Sequence, residues 1–129
     1  MKLLGLLVTD RKALVENEID GLLNEWMIWN APPFYYPVGV YVDIDPGSDI
    51  SRFLPVKVWF LGPKEDDVKL IRTLEASPQS KFEAVGEGSQ IRLGFQWRLE
   101  TDQPGEYVFV AGVGEAPAQG DLGWPVTLR

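Results

Sequence analysis

The sequence predicts an all-β fold, a two-sheet antiparallel sandwich of immunoglobulin-like or jelly-roll type with about eight strands; a closed barrel is the alternative. Three observations point there. Short apolar runs alternate with polar residues and are broken by 13 Gly and 10 Pro, the punctuation of a chain with many turns. No segment carries a sustained helical period. The stretch from Gln90 to Phe109 holds the clearest pattern: Ile91, Leu93, Phe95, Trp97 and Leu99 are apolar at every second position. Gln90, Arg92, Gln96, Arg98 and Glu100 lie between them. Side chains on a strand alternate between faces, so this is a strand with one dry and one wet side. Asp102-Gln103-Pro104-Gly105 then turns the chain, and Tyr107, Phe109 and Ala111 alternate in a second strand. Consecutive strands joined by so short a loop are expected to pair as an antiparallel hairpin.

Earlier elements follow from the same rules. Leu3 to Val8 reads as a strand covered on both faces. Asp10 to Glu18 is polar and is either a loop or one helical turn capped by Asp10. Leu22 to Trp29, bounded by Gly21 and Pro32, is expected to be a strand on its length and aromatic content. Pro32 to Pro37, with Phe34, Tyr35 and Tyr36 inside it, is expected to be a stiff aromatic loop, because proline limits ladder pairing. Val38, Val40, Val42 and Ile44 alternate in a strand that ends at the turn Asp45-Pro46-Gly47-Ser48. Val56, Val58 and Phe60 mark another, stopped by Gly62-Pro63. In Val68 to Leu74, Arg72 falls on the apolar side under strict alternation unless a bulge re-aims it. Ala76 to Ser89 and Gly112 to Gly120 are connections, and Leu122, Trp124, Val126 and Leu128 form a last strand in which Pro125 suggests an edge. Residues 1–129 read as one β-sandwich domain.

Composition narrows function by exclusion. The chain has no Cys and no His, with a net charge of −7. That rules out a thiolate nucleophile and a Cys-type metal site, and removes the commonest general base. An acidic surface repels phosphates, so nucleic acid and anionic membrane are not expected partners. The apolar start is too short for a secretory signal and lacks a small-residue cleavage site, and no run approaches a membrane span. A cytoplasmic location is the expectation.

Three sets of residues invite a functional reading. Asp43, Asp45 and Asp49 flank a turn and have the oxygen chemistry of a calcium loop. Gly47 stands where a ligand belongs and Leu54 where the closing Glu would be, so a solvated turn is preferred and no metal or other cofactor is expected. Carboxylates are numerous but no pair stands out, which leaves a carboxylate-dependent hydrolase as a distant alternative. The aromatic residues carry more. Tyr41, Trp59 and Ile71 fall on the polar side of three consecutive strands. With the loop aromatics Phe34, Tyr35 and Tyr36, they form a candidate interface for a protein partner or a second copy of the chain. Exposed Trp and Tyr rings also suit sugars, so a carbohydrate-binding module is the alternative. The expected function is a non-enzymatic interaction or structural module.

Pro104-Gly105-Glu106-Tyr107-Val108-Phe109 resembles the turn-then-tyrosine start of a late strand in immunoglobulin-like sandwiches, where the Tyr hydroxyl bonds back to backbone. With Asp10, Asp20-Gly21, Pro33-Phe34 through Pro37 and the closing Leu122 to Leu128 strand, the chain is similar to a family of small bacterial and phage β-sandwich proteins of unknown function. The resemblance implies the fold and a bacterial or phage origin, and attaches no activity and no catalytic residue.

Overall fold

The strands are β1 (Lys2–Asp10), β2 (Trp26–Met27), β3 (Phe34–Asp45), β4 (Val56–Leu61), β5 (Val68–Leu74), β6 (Ile91–Thr101), β7 (Gly105–Gly112) and β8 (Leu122–Leu128). They belong to a computed structural model that describes residues 2–10, 26–27, 34–45, 55–75 and 91–128. The remainder of the Asp10 to Glu18 and Leu22 to Trp29 segments, the turn after Asp45, and the Ala76 to Ser89 connection lie outside the described residues.

The strands make two sheets, one ordered β1-β3-β6 and the other β2-β8-β7-β4-β5. All pairings are antiparallel except the two-residue contact of β2 with β8. The arrangement is the expected two-sheet sandwich, not a closed barrel. No helix among the described residues is long and apolar enough to cross a membrane.

The inner faces follow period two. Val38, Val40, Val42 and Ile44 of β3, Val56, Val58 and Phe60 of β4, and Tyr107, Phe109 and Ala111 of β7 all enter one buried cluster. Phe95 and Leu99 of β6 are buried in it, and Leu93 and Trp97 pack against it half-buried. Phe60 is the hub, with ring centroids 5.1 Å from Trp97, 5.1 Å from Tyr107 and 4.9 Å from Phe109. Offset and tilted pairs of this kind add to the burial of area itself.

Three expectations are corrected. First, β6 and β7 are not a hairpin: β6 pairs with β3, while β7 pairs with β4 and β8 in the other sheet. The turn at Asp102 to Pro104 is a corner between layers. Gly105, at φ 150°, begins β7. A Cβ there would stand 3.1 Å from Pro63. Tyr107 Oη donates to the Gln103 carbonyl at 2.6 Å and lies 2.5 Å from Thr101 Oγ1, holding the corner closed.

Second, Phe34 to Pro37 is not a loop, since β3 starts at Phe34 and its Pro37 sits opposite Arg98. β1 ends with Asp10 opposite Val38. Among the described residues, no strand pairs with Phe34 to Pro37 on the side away from β6, so a proline there costs no ladder bond shown. Third, β5 carries a bulge at Ile71, but it does not take Arg72 off the inner side: Arg72 and Leu74 face inward opposite Val58 and Val56, and Val68 and Leu70 are turned outward opposite Leu61 and Trp59. Arg72 lies 5.0 Å from the Phe95 ring centroid and Lys69 lies 5.9 Å from that of Trp97. Inward-pointing charges on an edge strand oppose edge-to-edge aggregation.

Candidate functional site

β4 and β7 are apolar on both faces. Their inner residues make the core; their outer residues are Lys57, Trp59 and Leu61 on β4 and Glu106, Val108 and Val110 on β7. Register sets Trp59 beside Leu70 and Val110, and Leu61 beside Val68 and Val108. Trp59 is only 3% exposed, and Val110 is buried with it. Leu61 and Val108 are half-buried. Toward the edge the cover ends: Val68 and Leu70 are 47% and 49% exposed. An antiparallel strand with one wet face alternates, whereas strands apolar on both sides belong to sheets covered on both sides. This outer face grades from covered at Trp59 to open at β5.

The interface residues expected from sequence do not form one surface. Tyr41 is on the three-stranded sheet, and Trp59 and Ile71 are on the five-stranded one. Trp59 is buried rather than displayed, and Ile71 packs against the core cluster as the bulge residue. Tyr35 is 47% exposed, and Tyr36, one residue on, points the other way and packs against the core. Phe34 begins β3, and its side chain is outside the described ones. The expectation treated Tyr41, Trp59 and Ile71 as lying on adjacent strands, but between Asp45 and Val56 the chain changes sheets. Leu61, Val68, Leu70, Val108 and Val110 were missed. The available signal was that β4 and β7 break alternation, with Trp59, Leu61, Val108 and Val110 apolar where a wet face would be polar and Lys57 and Glu106 the only charges.

The outer face of the three-stranded sheet is different in kind. Tyr35 and Tyr41 of β3 both point outward, each with an arginine of β6 against its ring. Arg98 stands 4.2 Å from the Tyr35 centroid and Arg92 6.0 Å from that of Tyr41. A carboxylate holds each arginine. Arg98 Nε is 3.2 Å from Glu100 Oε1. Arg92 donates from Nε and Nη2 to the two Asp43 oxygens at 2.6 and 2.9 Å. The Tyr41 ring lies across Gly94, where an added Cβ would come within 2.7 Å of it. Burial raises the Tyr41 phenol above its ordinary value and Arg92 partly offsets this. Of the aspartates weighed for calcium, Asp43 is thus committed to a bidentate ion pair, Asp45 ends β3, and Asp49 lies outside the described residues. Among the described residues no group of three or more acidic side chains is arranged to hold a metal ion.

No protein-family model matches the chain, and no curated protein matches it. Solved structures do. A β-glucosidase from Erythrobacter marinus is similar over 99% of this chain and 15% of its own, at 12% identity and a TM-score of 0.55. A β-glucosidase from Listeria innocua is similar over 98% of this chain and 16% of its own, at 10% identity and a TM-score of 0.49. The same kind of Listeria innocua enzyme in complex with gluconolactone is similar over 82% of this chain and 15% of its own, at 11% identity and a TM-score of 0.48. The chain therefore spans only about a sixth of the length of these proteins. At such identity the Erythrobacter marinus likeness shows the sandwich fold and nothing of activity.

Proposed function

We propose that this chain is a non-enzymatic, immunoglobulin-like β-sandwich module that pairs with a second copy of itself through the outer face of the five-stranded sheet. Strand order supports the immunoglobulin-like part. With the short β2 set aside, a sheet of first, second and fifth strands faces one ordered seventh, sixth, third and fourth. The Tyr107 hydroxyl bonded back to the Gln103 carbonyl supports it too.

One observation carries the interaction reading: the apolar outer face that grades from buried Trp59 to half-exposed Val68 and Leu70. Its exposed part is Val68 and Leu70 at the β5 edge, and exposed apolar side chains continuous with a covered apolar face favour an interface. Its charged residues stand at opposite ends, Glu106 at one and Lys57, already bridged to Glu115 at 3.0 Å, at the other. A two-fold axis lying across the strands sets the Lys57 end of one copy over the Glu106 end of the other, as a closed isologous contact requires.

Sedimentation velocity across a concentration series tests this. A dimer is expected for the unaltered chain and a monomer for Leu70→Glu, with the thermal midpoint unchanged because Leu70 is half-exposed. A strict monomer at every concentration, or a dimer indifferent to Leu70→Glu, overturns the reading.

A further inference from the structure

Among the described residues each sheet ends in two edge strands, β1 and β6 in one and β2 and β5 in the other. Three of these edges are blunted. β5 is bulged and turns Lys69 and Arg72 inward. β1 is bulged between Leu3 and Gly5, and β2 is two residues long. β6 is the exception. It runs for 11 residues without a proline and pairs with β3 in unbroken register. Its inward residues Leu93, Phe95, Trp97 and Leu99 carry no charge. Among the described residues, no strand pairs with its other side. A long, regular edge of this kind is a template for another strand.

We propose that β6 pairs antiparallel with β6 of a second copy, fusing the two three-stranded sheets into one. The sequence of β6 complements its own reverse. With Gln96 on the two-fold axis, Gln96 meets itself, and Arg92 faces Glu100, Leu93 faces Leu99 and Phe95 faces Trp97 of the second copy. Directly opposite side chains share a face and stand about 5 Å apart, so opposite charges, aliphatic pairs and aromatic pairs each favour this register. On the outward face charge alternates, from Asp43 to Arg92 at 2.6 Å and then to Glu100 and Arg98 of the second copy, themselves 3.2 Å apart. On the inward face Leu93 and Trp97, half-buried at the rim of the core, gain cover from Leu99 and Phe95 of the second copy.

Other registers lose these contacts. A slip of one residue sends the apolar set to the wet face. A slip of two sets Arg92 against Arg98 in one direction, where like charges repel. In the other direction it carries Arg92 past the end of the facing strand at Thr101. This self-complementarity selects a second copy over an unrelated extended peptide. Lys69 and Arg72 reach Trp97 and Phe95 from β5, across the gap between the sheets, whereas strands pair within the plane of the three-stranded sheet. The contact is independent of the one proposed for the five-stranded sheet. It covers little apolar surface and therefore forms at the millimolar concentrations of magnetic resonance, above those of a sedimentation series.

The test uses Leu70→Glu protein, in which the face contact is removed and β6 is unaltered. Its translational diffusion is followed up to millimolar concentration, with amide shifts and filtered cross-peaks from a mixture of labelled and unlabelled copies. Slowing toward a dimer is expected, with shifts centred on Arg92 to Glu100 and a cross-peak between Leu93 and Leu99. Within one copy these two leucines are six residues apart, about 20 Å at roughly 3.3 Å per residue, so the cross-peak reports the second copy alone. Gln96→Lys, added at this exposed position, sets two lysines together on the axis and is expected to lose both signals while the thermal midpoint holds. Diffusion independent of concentration overturns the proposal. So does association without the Leu93–Leu99 cross-peak, or a cross-peak that survives Gln96→Lys. If the face contact is wrong and Leu70→Glu protein already dimerises at low concentration, the same cross-peak shows whether β6 holds that dimer.

Discussion

The outer faces of the two sheets are made from the same backbone pattern and have opposite chemistry. On the three-stranded sheet, outward positions hold tyrosines stacked on arginines that carboxylates fix in place. On the five-stranded sheet they hold Trp59, Leu61, Val108 and Val110, with Val68 and Leu70 at the open edge. The polar face remains solvated without penalty, because each charge has an opposite charge beside it. The apolar face gains only when water is removed from it. One sandwich thus presents one outer face of paired charges and aromatics and one that is largely apolar.

The largest expected effect lies between the faces, in the core they share. Phe109 is fully buried and contacts Phe60 and Trp97. Phe109→Ala is expected to cost about 3–5 kcal/mol through the cavity it leaves, read as a fall in thermal midpoint. A change under about 1 kcal/mol would mean that the layers do not meet there. Next comes Gly94→Val, which drives a side chain into the Tyr41 ring. Overpacking of this order costs about 1–3 kcal/mol, and near-ultraviolet dichroism should show Tyr41 displaced. Tyr107→Phe removes the bond to the Gln103 carbonyl at the corner between the sheets. A loss of about 1 kcal/mol in a urea melt is expected, with both outer faces intact.

Smaller effects sharpen the contrast at the edges. Arg72→Leu removes one inward charge from β5. Light scattering should then show faster aggregation while the midpoint stays nearly constant, since the edge loses a guard rather than a core contact. The smallest effect is alkaline. Burial raises the Tyr41 phenol, so the folded state holds its proton more tightly than the unfolded chain does. Stability from this group is constant below the ordinary tyrosine value and falls as pH rises from there through the raised value. Tyr41→Phe should flatten that decline.

Much of the fold was legible one residue at a time. The alternation of Leu93 through Leu99 and of Val38 through Ile44 named the inward faces, because a strand has a period of two wherever one side is dry. The bulge in β5 turned Val68 and Leu70, not Arg72, off the inner face, which strict alternation did not show, whereas Pro104-Gly105-Glu106-Tyr107 marked the hydroxyl-to-backbone bond. The β6–β7 hairpin and the Phe34 to Pro37 loop were misread for a common reason. A short turn and a proline describe the local backbone, while a partner strand is a property of the assembled layers.

The candidate surfaces show the same division. Local sequence determined which side chains share a strand face wherever no bulge interrupts the strand, since that follows from covalent geometry and solvent contrast; the β5 bulge was the exception. Tertiary structure alone decided that Tyr41 and Trp59 stand on opposite sheets, that Trp59 is covered while Leu70 is open, and that Arg98 meets Tyr35 and Arg92 meets Tyr41. Those facts depend on which strands pair and in what register. Pairing between strands far apart in the chain is set by burial of the whole core, which no local pattern encodes.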